Sequence, residues 1–62
     1  MRAFPQTLPA ARLAVLIDLH AQERALAVTE HGLRAAGFVH AARRAALALD
    51  RVRRLIARAE RA

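Results

Sequence analysis

Apolar residues recur along the second half of the chain at Phe38, Ala42, Ala45, Leu49, Val52, Ile56 and Ala59, in steps that alternate between four and three. That alternation keeps one face of a helix turned toward a partner. It predicts a helix from Phe38 or His40 to near Arg61. Three of the seven positions are Ala, which lets a facing helix approach toward the short end of the usual ~8–10 Å separation. Ala41, Ala48 and Leu55 widen the stripe on one side.

The first half reads as a second helix with less decided faces. Thr7 is placed to cap it, with Pro9 in the first turn, where a missing N–H costs nothing. From there to Ala36 the chain is rich in Leu, Ala, Arg and Glu, all good helix formers. Gly32 interrupts the run, but Glu30 and Arg34 form an i,i+4 pair across it and support a helix that continues through. Gly37 is the better stop, because it follows a basic residue in the last turn. The expected organisation is a lead-in over residues 1–6 and one helical-hairpin domain over 7–62, turning near 37–40.

Leu8, Val15, Leu19, Leu26 and Leu33 are expected along one face of the first helix, with Gln22 and Thr29 as polar gaps. Leu13, Ile17 and Val28 lie on another. One hairpin covers only one of these faces, so the surplus calls for a further layer. The fold class expected is therefore all-α, an antiparallel two-helix hairpin that dimerises into a four-helix bundle. The interface residues expected are Leu13, Leu16 and Ile17 from the first helix and Phe38, Leu49, Val52 and Ile56 from the second. This layout resembles the Rop-type RNA-binding regulators, which are dimers of helical hairpins of about this length. The likeness is one of layout, and no residue roles follow from it.

Composition narrows the function. A chain of 62 residues is at most one small domain. Without cysteine it has neither a disulfide nor a thiolate metal site to support a thin core. No uncharged stretch approaches the roughly 20 residues of a membrane-spanning helix. Asp18 interrupts the apolar run Leu13–Ile17, so the N-terminus does not read as a signal peptide, and the expected location is cytoplasmic. Ser, Cys, Lys, Tyr, Trp and Asn are all absent, and Thr7 and Thr29 are the sole hydroxyls. Most nucleophiles of covalent catalysis are thus missing, and two isolated glycines form no phosphate loop. A non-enzymatic protein without a cofactor is expected.

Charge changes the picture more. Residues 1–31 hold Arg2, Arg12 and Arg24 against Asp18, Glu23 and Glu30, which cancel. Residues 32–62 hold eight Arg against Asp50 and Glu60, which accounts for the whole formal net charge of +6. The preference for Arg over Lys, beside abundant Ala, is what GC-rich codon usage produces; the placement of the excess is more informative. On a helical wheel His40, Arg43, Arg44, Arg51, Arg54, Arg58 and Arg61 fall opposite the Phe38–Ile56 seam. The like-charged pairs Arg54–Arg58 and Arg58–Arg61 each cost a few tenths of a kcal/mol in an isolated helix, and Asp50 offsets only Arg54. Such a face suits anions. Against phosphates its contacts would position the backbone and respond steeply to salt. It carries no aromatic residue for stacking on unpaired bases, which favours duplex DNA or structured RNA. The anion-binding residues expected are Arg43, Arg44, Arg51, Arg54 and Arg58.

Other readings compete. Thr29 could cap a short helix ending at Gly37, making His40–Arg61 the recognition helix of a helix-turn-helix. Leu8-Pro9 and Val15-Leu16-Ile17 resemble the start of a sigma-factor-type DNA-binding domain, but Gly32 and Arg43 stand where buried aliphatics would be required. A basic amphipathic helix can also lie on a membrane surface, although this one has a shallow, Ala-rich apolar face. His20, His31 and His40 are too widely spaced to share a helical turn as ligands. His20-x-x-Glu23 reverses the Glu-x-x-His order of bundle-core metal sites, so no metal is expected. Glu23 and Glu30, seven apart, are placed to pair with arginines of the second helix or of a symmetry mate.

The function expected is a small regulator or accessory factor contacting nucleic-acid phosphates. The alternative is a protein-binding adaptor, chaperone or inhibitor of the kind that secretion systems and phages encode. That alternative would use Leu13, Leu16 and Ile17 as anchors, with arginines steering an acidic partner and no small-molecule substrate.

Overall fold

The computed structural model describes residues 9–61, and in these the chain forms two helices, α1 (Ala10–Ala35) and α2 (Val39–Arg61), packed against each other. At 1.5 Å per residue they are about 39 and 35 Å long. Among the described residues there is no strand, and no helix is long and apolar enough to cross a membrane.

α1 begins at Ala10, two residues later than a Thr7 cap would place it. Pro9 is the flanking residue rather than part of the first turn, with φ −57° and ψ 144°, and among the described residues no side chain caps the helix. Its fixed φ is compatible with that position, and its carbonyl accepts the first helical bond from Leu13 N–H at 3.0 Å. Thr7, the expected cap, lies outside the described residues.

The helix passes through Thr29 and Gly32 without a break, which removes the helix-turn-helix arrangement and bears out the continuous reading. Arg34 donates to Glu30 across the glycine at 2.8 Å. Termination is sharp. Gly37 takes φ +90°, a left-handed conformation that favours glycine. Phe38 N–H donates to Leu33 C=O at 2.8 Å and Gly37 N–H to Arg34 C=O at 3.1 Å, the paired bonds of a Schellman cap. Ala42 N–H reaches Phe38 C=O at 2.9 Å, so α2 starts at once.

On α2 the expected seam is present. Ala42, Ala45, Leu49, Val52 and Ile56 are buried and Ala59 packs partly against the core. Phe38 departs from it at 61 % exposure. The periodicity runs on past the end of α1, and a side chain at the turn has no opposite turn to cover it.

α1 departs further. Leu16 is its sole buried residue, clustered with Val52 and Ile56, while Leu19 and Leu26 pack half-buried beside them. Val15, expected on one face with Leu19, Leu26 and Leu33, is 51 % exposed. The observed inner line is Arg12, Leu16, Leu19, Glu23, Leu26, Glu30 and Leu33, again in steps of four and three. A shift of one residue turns a helical side chain by about 100°, enough to exchange Val15 for Leu16. Leu16 is therefore core, not an anchor open to a partner. Leu49, Val52 and Ile56 likewise spend their surface within the hairpin, whereas Leu13 and Ile17 remain exposed.

The candidate anion-binding face

α2 carries its arginines on lines of residues seven apart, which lie nearly above one another on a helix. One line is Arg44, Arg51 and Arg58; the next is His40, Leu47, Arg54 and Arg61. Successive rungs rise about 10.5 Å. All five expected residues, Arg43, Arg44, Arg51, Arg54 and Arg58, are exposed on the side of α2 away from its seam.

Their surroundings differ. Arg54 is held by Asp50 one turn earlier, as expected. Arg43, Arg44, Arg51 and Arg58 have no carboxylate within salt-bridge range among the described residues. Leu47, 60 % exposed, interrupts the face with an apolar side chain that attention to charge passed over. Arg53 stands apart, on the far side of the seam. Its Nε donates to Glu23 Oε2 at 3.1 Å and ties α2 to α1.

Glu23 also meets the His20 ring at 3.2 Å, and His20 Nε2 lies 4.0 Å from Glu60. The Arg53 guanidinium, and then His20, hold the Glu23 carboxyl below the usual carboxylate range. Glu30, the other acid expected to reach across, pairs with Arg34 of its own helix instead. The ion pairs that involve both helices thus gather on one broad side of the hairpin, while on the outer face of α2 Asp50 pairs Arg54 alone among the described arginines. His20 with Glu23 makes no metal cage: among the described residues no group of three or more ligating side chains could hold an ion. No pocket opens among them either.

Comparison of the chain with protein-family models, curated proteins and solved structures finds no match in any of the three.

Proposed function

We propose that this chain is a small, non-enzymatic binding protein of the cytoplasm. In this reading it self-associates into a four-helix bundle and grips the phosphates of duplex DNA or structured RNA through the outer face of α2, as a regulator or accessory factor. The observation that carries the reading is the exposed ladder of Arg44, Arg51 and Arg58, flanked by Arg43 and without a neutralising carboxylate among the described residues. Stability does not call for such a face, since Arg51, Arg54, Arg58 and Arg61 follow one another three and four residues apart, where like charges repel. Phosphate does: each guanidinium offers a planar fork of donors to it. Self-association rests on apolar surface. The hairpin buries Leu16, Leu49, Val52 and Ile56 but leaves eight large apolar side chains exposed among the described residues, including Leu13, Phe38 and Leu55.

The test is binding of duplex DNA and of structured RNA at about 50 and 200 mM salt, with wild type beside Arg51→Gln/Arg54→Gln/Arg58→Gln. Salt-sensitive binding that the triple variant loses supports the reading. Absence of binding by wild type at the lower salt overturns it in favour of an acidic protein partner. The exposed Leu13 and Ile17 of α1, and Leu47 among the arginines of α2, favour that second reading.

A further inference from the structure

The two broad sides of the hairpin differ in kind. One carries the ion pairs of Glu23, Arg53, His20 and Glu60. The other presents the half-buried Leu19, Leu26 and Leu33 of α1 beside Ala41, Ala48 and the exposed Leu55 of α2. On this side α1 offers Leu19, Leu26 and Leu33 where α2 offers the small Ala41 and Ala48 beside one large residue, Leu55, and large against small is how facing helix layers interdigitate. Gln22 and Thr29 are its polar interruptions on α1, and such positions fix register in bundles. Outside the apolar strip, α2 is edged by Arg44, Arg51 and Arg58, and α1 by Ala11, Asp18, Ala25 and Gly32.

Two copies can stack these sides by a twofold in two ways. An axis across the helices lays α2 on the partner's α2 and sets two arginine edges against each other with no carboxylate between them. An axis along the helices lays α2 on the partner's α1. A pure rotation has no translation along its axis, so each residue keeps its height. Within one hairpin Glu23 meets Arg53, and along antiparallel helices each step back on α1 is matched by a step forward on α2, so Asp18, five before Glu23, is level with Arg58, five after Arg53. The second arrangement therefore brings each Arg58 beside the other copy's Asp18, and sets Arg51 and Arg44 against the small Ala25 and Gly32. Among the described residues of the single hairpin, Asp18 accepts a side-chain hydrogen bond from Gln22 alone, at 2.8 Å.

We infer that the occupant of the Leu19–Leu26–Leu33/Leu55 side is a second copy of this chain, stacked with α2 over the partner's α1 and held in register by two reciprocal Asp18–Arg58 pairs. The inference rests on the proposed self-association and adds its face, pairing and register; it takes Arg58 out of the phosphate ladder and leaves Arg43, Arg44 and Arg51 to it.

Sedimentation equilibrium of wild type, Asp18→Arg, Arg58→Asp and the double exchange tests it, with helix content followed by circular dichroism. Both residues are exposed, so the hairpin tolerates either change. Each single reversal is expected to weaken the dimer roughly tenfold, because it replaces two attractive rim pairs by two repulsive ones. The double exchange is expected to restore the wild-type constant to within about threefold. A dimer that Arg58→Asp tightens, or that Asp18→Arg leaves unchanged, overturns the inference while keeping self-association. A wild type that stays monomeric up to about 1 mM, weaker than any specific association requires, overturns both.

Discussion

Arg53 Nε sits 3.1 Å from Glu23 Oε2, thirty positions away in sequence and on the opposite helix. The pair ties α1 to α2 at their exposed edge, and the same guanidinium lowers the proton affinity of Glu23. A carboxyl with a lowered folded-state pKa contributes stability that is fully present above its unfolded value. The contribution is lost as pH falls through the folded one. Wild type should therefore lose thermal stability as pH falls below the ordinary glutamate value of 4.5, and Glu23→Gln should show a shallower decline there. Melting curves between about pH 3 and pH 6 check this. Identical pH dependence in the two proteins would remove Glu23 from the account.

Leu16 and Ile17 are neighbours with opposite fates, one 8 % and the other 62 % exposed. Leu16→Ala empties a site against Val52 and Ile56 and should cost about 2–3 kcal/mol, at the low end for buried Leu because the core is thin. Ile17→Ala should change stability by less than about 0.5 kcal/mol. Urea unfolding of both variants distinguishes them, and equal effects would mean that α1 is rotated from the arrangement described.

The two glycines separate in the same way. Gly37 has φ +90°, so Gly37→Ala should cost about 1–2 kcal/mol. Gly32 lies within α1 with nothing within 4 Å of an added Cβ. Gly32→Ala should stabilise the helix by about 0.5–1 kcal/mol. Thermal unfolding gives both signs directly, and a stabilising Gly37→Ala would contradict the Schellman turn.

Much of this architecture is legible in the chain because single residues force it. Gly37 follows a basic last turn and supplies the left-handed residue that ends α1; the steps from Ala42 to Ile56 admit one buried stripe on α2. The rotation of α1 is not legible in the same way. Leu13, Val15, Leu16 and Ile17 surround that helix, so local periodicity leaves two inner faces open. The choice is made by the other helix, through Arg53 reaching Glu23 and Val52 with Ile56 receiving Leu16. Phe38 misleads because a repeat continues in sequence where the partner helix has stopped in space. The arginine face is readable from charge alone. Charge alone, however, does not separate Arg53, which binds the hairpin together, from Arg51, which faces away from it, nor does it disclose Leu47.

That separation supplies the most direct measurement: the salt dependence of duplex-DNA affinity for wild type, Arg51→Gln and Arg53→Gln. The two variants lose the same charge from neighbouring positions on different sides of α2. A phosphate-binding face requires Arg51→Gln to reduce the slope of log affinity against log salt by about 0.9 for each arginine engaged. Arg53→Gln should leave that slope unchanged. Equal reductions by both, or a wild-type affinity indifferent to salt, would contradict it.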